Sequence, residues 1–191
     1  MPPKIKITKT DIIQKALSLL RENGVESLNA RSIAAALGCS TQPIFSNFAT
    51  MDALEEAVID AAYEHYYAFL QREAESGKYP AYKAFGMAYI RFAKEEKELF
   101  RLLFMRDTSA KEMAPATSPD FEESIEMIMK ANGISREKAT LMHLEMWVCV
   151  HGIATLFVTS FFSLDWELIS AILTDVYQGT RAKHLSEENK Q

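Results

Sequence analysis

Apolar residues recur at intervals of three and four along almost the whole chain, and they nowhere alternate long enough to predict a strand. The first such stripe begins at Ile12 and stops before Gly24, and Thr8 and Asp11 stand at the spacing of a helix-start capping pair. Similar starts and stops divide the rest of the chain into about nine helices. The sequence therefore predicts an all-α fold.

Length and composition favour a globular protein with one large or two small domains, since the chain has 191 residues of which 48% are hydrophobic. Its two cysteines, Cys39 and Cys149, are far apart and predict neither a disulfide framework nor a metal cluster. The N-terminus lacks an apolar export signal, and hydroxyls and His151 interrupt the longest apolar run. We expect a cytoplasmic protein without a membrane anchor.

Charge is distributed unevenly along the chain. The net charge is −5, yet residues 1–50 contain six Lys or Arg against three Asp or Glu, so they hold +3 and the remainder holds −8. A protein with a basic N-terminal segment and an acidic remainder can bring the basic segment to a polyanion while the remainder is repelled. This asymmetry keeps nucleic acid among the expected partners despite the acidic total.

Two short predicted helices, 29–37 and 40–48, are joined by a tight turn at Gly38 and have the dimensions of a helix-turn-helix. Ile44 and Phe48 would return to the core, which leaves the opposite face of the second helix free. Short polar groups on that face can reach base edges or phosphates: Ser40, Thr41, Gln42, Ser46 and Asn47. The spacing alone fits a plain helical hairpin equally well.

The stretch from Thr8 to Leu54, about a quarter of the chain, resembles the N-terminal DNA-binding domain of tetracycline-repressor-type transcriptional regulators. The resemblance rests on a polar cap followed by an Ile-Ala pair, a Leu-Gly-x-Ser turn and two aromatic residues before a fourth helix: Asn29, Ile33, Ala34, Leu37, Gly38, Ser40, Phe45 and Phe48. It implies a homodimer that binds a palindromic double-stranded DNA operator.

Two positions depart from the family pattern, which usually has Tyr at Phe45 and Lys at Met51, both as phosphate contacts. With neither group present, we expect fewer backbone contacts and weaker or more salt-sensitive binding. Contacts to DNA would then depend on the basic arm, on Arg31 and on amides at helix starts. The predicted DNA-binding residues are Lys4, Lys6, Lys9, Asn29, Arg31, Ser40, Thr41, Gln42, Phe45, Ser46 and Asn47.

By the same resemblance, the second half of the chain would bind a small-molecule effector and dimerise through its last two helices. Trp147, His151 and Gly152 form a Trp-x-x-x-His-Gly pattern similar to a subset of these regulators. Methionines and aromatic rings suit an adaptable apolar pocket, although core packing explains any single one of them better. The predicted effector-binding residues are Phe85, Tyr89, Phe92, Phe100, Phe104, Met127, Met146, Trp147 and His151.

Catalytic and metal-binding motifs are absent from the sequence. It contains no G-x-S-x-G, P-loop or G-x-G-x-x-G pattern, and no H-E-x-x-H. His143 and His151 stand eight residues apart on one predicted helix, too far apart to share an ion unaided. We expect no enzyme activity, no metal and no cofactor.

We expect an apolar stripe near the C-terminus to be buried from water, and a two-fold symmetric dimer interface of four helices would bury it. Its residues are Leu156, Phe157, Phe161, Leu168, Ile172, Leu173 and Val176. The expected organisation is a DNA-binding domain at 1–50, an effector and dimerisation domain at 51–183, and a polar, frayed tail at 184–191.

Together these expectations predict a repressor. Its effector would be a small apolar or aromatic molecule that shifts the population of protein conformations towards one unable to bind DNA. The alternative is a helical ligand- or partner-binding protein with weakened DNA recognition, as the departures at Phe45 and Met51 suggest.

Overall fold

The computed structural model describes residues 7–106 and 119–188, and the predicted all-α fold is confirmed. In the described ranges there are nine α-helices, one short 3-10 turn and no strand. The helices are α1 (Lys9–Asn23), α2 (Ala30–Ala36), α3 (Gln42–Asn47), α4 (Met51–Ala74), α5 (Ala81–Glu95), α6 (Lys97–Phe104), α7 (Pro119–Asn132), α8 (Arg136–Val158) and α9 (Trp166–Glu188), and the 3-10 turn is Val25–Ser27.

Helix starts follow the local capping signals. The Thr8 hydroxyl accepts a hydrogen bond from the Asp11 backbone N–H, and the Asp11 carboxylate accepts one from the Thr8 backbone, which completes the predicted capping box. These bonds favour the charged carboxylate and lower the pKa of Asp11. Asn29 and Ser135 cap α2 and α8 in the same way.

The chain divides into two compact units. Unit 1 contains residues 1–68 and 96–106, and unit 2 contains residues 69–95 and 107–191. This grouping differs from the predicted division at residue 50, because α6 packs against α1 and the first part of α4 belongs to unit 1.

Unit 1 has a core in which α1, α2 and α3 contribute Ile12, Leu20, Ile33 and Ile44, all fully buried. In unit 2, α8 packs against α5, α7 and α9. One cluster of that unit consists of the buried residues Phe121, Ile125, Ile128, Ile134, Ala139 and Met142, with Tyr82, Met129, Tyr177 and Leu185 packed against it.

Three helix ends differ from those predicted. Helix α3 takes its N-cap from Thr41 rather than Ser40. Helix α8 ends at Val158 instead of near Phe162, because Ser160 adopts a left-handed φ of 54°. Helix α9 continues to Glu188, so the frayed tail expected from residue 184 is wrong as far as Glu188: His184 is buried at 1% exposure. The Ser, Thr and Ala residues and two prolines at 107–119 predict a loop, and this segment lies outside the described residues as far as residue 118.

Helix α8 is long and apolar enough to cross a membrane by length and composition, with a mean hydropathy of 1.5 over its most apolar window. It is also the helix that packs against three others in unit 2, and residues such as Met142, Ala154 and Val158 are buried there. The core of unit 2 accounts for part of this apolar character, since 39% of that window is buried.

Candidate nucleic-acid interface and effector region

Helices α2 and α3 form a helix-turn-helix in unit 1. Gly38 has a left-handed φ of 66°, which lets the chain reverse, and the Cys39 backbone N–H donates to the Ala34 carbonyl at 3.0 Å. Ile33 and Ile44 are buried on the inner sides of the two helices. The outer face of α3 is thereby left to solvent.

That outer face mixes polar and apolar side chains. Gln42, Phe45 and Ser46 are exposed, and Phe45 keeps 51% of its surface accessible. The Ser46 hydroxyl donates to the Gln42 carbonyl at 2.9 Å. The Asn47 amide donates to the carbonyls of Pro43 at 2.8 Å and Ile7 at 3.5 Å. Asn47 thus stabilises the helix and holds the chain before α1, so the side chains best placed to reach outward are Thr41, Gln42 and Phe45.

The other predicted DNA-binding residues lie around this face in different roles. Asn29 caps α2 by accepting from the Ser32 backbone N–H at 2.9 Å, while Arg31 and Ser40 are exposed. The Lys9 ammonium lies 5.0 Å from the centre of the Phe48 ring. Lys4 and Lys6 fall outside the described residues.

Met51, the second departure from the family pattern, lies at the start of α4. It lines a small cavity of about 30 Å³ together with Leu28, Ile33 and Leu54. An apolar side chain suits this position, because Val58 is a further apolar neighbour and Glu55 is the one charged residue of the lining.

In unit 2, three of the predicted effector-binding residues come together between α5 and α8. The Tyr89 hydroxyl lies 2.9 Å from Nδ1 of His151. The Trp147 ring stacks on the His151 ring, with centroids 4.9 Å apart and planes 15° apart. Burial lowers the pKa of His151, which favours a neutral imidazole in this cluster.

The remaining predicted effector residues are dispersed. Met146 and Phe92 are buried in unit 2, Phe92 against Phe69 at 5.4 Å between ring centroids, and Phe85 and Met127 are partly buried. Phe100 and Phe104 lie in unit 1, where Phe104 packs against Tyr66 at 5.1 Å. The predicted set therefore spans both units.

A groove of about 510 Å³ occupies a different part of unit 2, and its residues were not predicted. It is lined by Lys78, Tyr79, Trp166, Glu167, Ser170, Ala171, Thr174 and Asp175. Its two aromatic residues, Tyr79 and Trp166, lie near the starts of α5 and α9, outside the methionine-rich and aromatic stretches that indicated a pocket. Nothing in their spacing separates them from ordinary surface residues.

The residues predicted to form a dimer interface differ in exposure. Phe157 and Leu173 are buried within unit 2, and Leu156, Ile172 and Val176 are partly buried. Phe161 and Leu168 are exposed, Phe161 at 83%. Helix α8 presents three further exposed apolar residues that were not predicted: Leu141, Leu144 and Val148.

Metal ligands do not cluster in the described part of the chain, where no three His, Cys, Asp or Glu side chains are placed to hold an ion.

Comparison with known proteins supports the helical second unit. The family profile described as the tetracyclin repressor-like C-terminal domain matches residues 82–177, half of the chain. The chain belongs to the tetracycline repressor-like family of transcriptional regulators. The match covers α5 from its second residue, all of α8 and the first half of α9, so this regulator's Tyr89, Trp147 and His151 all lie inside the family domain.

A solved structure from Pseudomonas aeruginosa PAO1, of a protein assigned to the transcriptional regulators, shares the fold of this family member. The TM-score is 0.65 at 16% sequence identity, and the alignment covers 91% of this chain and 90% of that chain. No curated protein matches the chain in sequence.

Proposed function

We propose that the protein is a cytoplasmic, homodimeric DNA-binding repressor that a small apolar or aromatic effector releases from a palindromic operator. The observation that carries the proposal is the outer face of α3, where Gln42 and Phe45 are exposed and Thr41 is partly exposed. The inner residues Ile33 and Ile44 of the same helix-turn-helix are fully buried. The family membership makes transcription regulation the setting for this surface.

Base recognition is the role that suits the two polar residues of this face. Thr41 makes no side-chain capping bond to the start of α3, and Gln42 is exposed beside it. A glutamine amide can both donate and accept, as needed for a bidentate contact to adenine in the major groove. The positive charge of residues 1–50 supplies attraction to phosphates.

Selection of genomic DNA fragments by the purified protein at moderate salt tests this proposal. An enriched palindrome supports a sequence-specific dimer, and Gln42→Ala is then expected to reduce discrimination at particular base pairs by about 1–3 kcal/mol. Lys130→Ala, a change on α7 in unit 2, is the control and should leave the selected sequence unchanged. Enrichment that is equally strong for Gln42→Ala would remove Gln42 from the base-reading residues.

Effector binding is assigned to the cluster of Tyr89, Trp147 and His151. An aromatic pair with one hydrogen-bonded hydroxyl and a neutral imidazole suits a ligand that is mainly apolar with a single polar group. The dye 1-anilinonaphthalene-8-sulfonate serves as a probe for such a site. Its binding is expected to quench Trp147 fluorescence, and His151→Phe should weaken binding more than His143→Phe. Equal effects of both variants would argue against this cluster.

The proposed mechanism is a shift between two populations of the dimer, of which only one has its two α3 helices at operator spacing. An effector acts only if it binds one population more tightly, since equal affinity for both changes nothing. Effector and operator would then weaken each other's binding by the same factor. Measuring dye affinity with and without the selected duplex checks this reciprocity.

A second candidate is a ligand- or partner-binding member of the family with weakened DNA recognition. The observation that favours it is the pair Phe45 and Met51, neither of which offers a phosphate contact. A folded dimer that binds the dye but enriches no DNA would support this candidate over the repressor.

A further inference from the structure

Phe45 is an exposed aromatic ring on the face that we propose reads DNA. It keeps 51% of its surface accessible, whereas Ile44 and Phe48, its neighbours on the inner side of the same segment, are at 0% and 3%. Leaving a large apolar ring in water forgoes the free energy of its burial. A partner with a matching apolar surface would recover that free energy.

The position of Phe45 relative to its neighbours limits what that partner can be. Gln42 lies three residues before it, so these two exposed side chains share one face of α3, while the partly buried Thr41 precedes the helix as its N-cap. A helix that places Gln42 at the edge of a base pair therefore brings Phe45 to the adjacent base pairs. The partner of the ring is then a group on the floor or wall of the major groove.

The chemistry of the major groove contains one prominent apolar group. Base edges there carry nitrogen and oxygen acceptors, amino donors and the C5-methyl of thymine. Phe45 has no hydrogen-bonding atom, so it gains nothing from the polar groups, and it would strip water from any of them that it covered. Of these groups, the thymine methyl is the one whose burial against the ring is favourable.

We infer that Phe45 determines specificity by packing its ring on a thymine C5-methyl in each half of the operator. This inference rests on the proposed function, because it concerns the same α3 face. It assigns Phe45 a role in base selection, in contrast to the phosphate contact that the hydroxyl of a tyrosine would make at this position. The operator should accordingly contain a thymine, in each half-site, whose methyl matters more than its hydrogen bonds.

The test replaces thymine by deoxyuridine in the selected duplex, one symmetric pair at a time, because this change removes the methyl and leaves every hydrogen-bonding group in place. Affinity is measured by fluorescence anisotropy at one fixed salt concentration. At one symmetric pair of thymines, the affinity of the wild-type protein for the duplex is expected to fall about fourfold when one methyl is removed. It should fall about fifteenfold when the methyls of both half-sites are removed.

Phe45→Ala should bind the thymine and deoxyuridine duplexes within twofold of each other, since the ring that senses the methyl is gone. Phe162→Ala is the matched control, because it removes a phenylalanine ring that is 58% exposed but lies in unit 2, and it should keep the wild-type ratio. Phe45→Leu keeps an apolar side chain and is expected to retain part of the ratio, which provides a second variant should Phe45→Ala fold poorly.

The outcomes separate this inference from the proposed function. A wild-type protein that binds its selected duplex equally well with thymine or deoxyuridine at every position overturns the role of Phe45 and leaves DNA binding intact. The same holds if Phe45→Ala keeps the full thymine preference. A protein that selects no duplex at all overturns the proposed function itself.

Discussion

The hydroxyl of Tyr82 lies 2.9 Å from Nδ1 of His143, which joins α5 to α8 by a hydrogen bond in unit 2. Tyr89 and His151 repeat the pairing further along both helices at the same distance. Burial lowers the pKa of His143 to about 4 from its ordinary value of 6.5, and burial also raises the pKa of Tyr82. The neutral histidine and the protonated tyrosine form the bond.

Acid should therefore destabilise unit 2. Below pH 6.5 the unfolded chain protonates His143 while the folded chain does not, so the stabilisation present above pH 6.5 is lost as the pH falls towards 4. Allowing for the partial exposure of the ring, we expect a loss of about 2 kcal/mol between pH 7 and pH 4.5. His143→Gln retains an acceptor but cannot be protonated, so its melting temperature should fall less steeply over this range. Parallel curves for the two proteins would contradict the assignment.

In unit 1, Arg21 of α1 holds the carboxylate of Glu96 at the start of α6. Arg21 Nε donates to Glu96 Oε2 at 2.8 Å, and His65 Nε2 of α4 lies 3.3 Å from Oε1 of the same carboxylate. The Glu96 side chain is only 12% exposed, so solvent screens this pair less than an ordinary surface pair.

Arg21→Met should lower the free energy of unfolding by about 1 kcal/mol, since it removes a forked ion pair but keeps most of the side-chain stem. The matched control is Arg136→Met, which removes an ion pair to Glu122 whose two side chains are both about half exposed. The control should cost less than about 0.5 kcal/mol in urea unfolding. Equal losses would indicate that the burial of Glu96 adds nothing to the pair.

Gly86 marks a close approach of α5 to α8 and α9. A Cβ added there would lie 3.3 Å from Val150 Cγ2 and 3.5 Å from Leu173 Cδ1, whereas one added at Gly152 on α8 would have no atom within 4 Å. Gly152→Ala should therefore gain up to about 1 kcal/mol from helix propensity. At Gly86 the crowding offsets that gain, and we expect a net loss of about 1 kcal/mol.

Thermal unfolding of both glycine variants measures the difference. If Gly86→Ala is as stabilising as Gly152→Ala, the tight packing between α5 and its neighbours is contradicted. If Gly152→Ala is destabilising, the space beside Gly152 is filled in solution, as it would be by a second copy of the chain.

The exposed apolar face of α8 tests the proposed dimer directly. Leu141, Leu144 and Val148 recur at helical spacing, and Val148 is 64% exposed. Val148→Glu places a charge on this face and should convert the protein to a monomer in sedimentation-velocity experiments at micromolar concentration. Val25→Glu alters a similarly exposed valine in unit 1 and should leave the oligomeric state unchanged. A dimer in both variants would place the interface elsewhere.

Local signals in the sequence were sufficient for helix starts such as that of α1 and for the turn between α2 and α3, though not for the start of α3. A cap such as Thr8 or a left-handed glycine such as Gly38 acts within one turn of chain. The predicted end of α9 lies before the observed one, because the last turns of this helix are held by contacts with residues distant in the sequence. His184 is polar in sequence but is buried with Nε2 3.0 Å from Oε2 of Glu145 on α8.

The candidate sites show the same limit. Helical spacing was enough to predict the outward face of α3, but not that Ser46 and Asn47 would bond to carbonyls of their own helix. The aromatic content of the chain suggested a single pocket. Aromatic residues at helical spacing occur in the cores of both units, however: Phe104 packs in unit 1 and Trp147 stacks in unit 2. Periodicity tells which residues face inward and leaves open which neighbours they meet.

The division of the chain into two units also determines which unit is completed first during translation. Every residue of unit 1 lies at or before position 106, so this unit is complete when a little over half of the chain has left the ribosome. The cluster described in unit 2 instead has Tyr177 and Leu185 packed against it, from the middle and the last turn of α9. The nascent protein would therefore hold a complete helix-turn-helix unit before the last helix of unit 2 is synthesised, and a chain shortened by about ten residues should fold in unit 1 only.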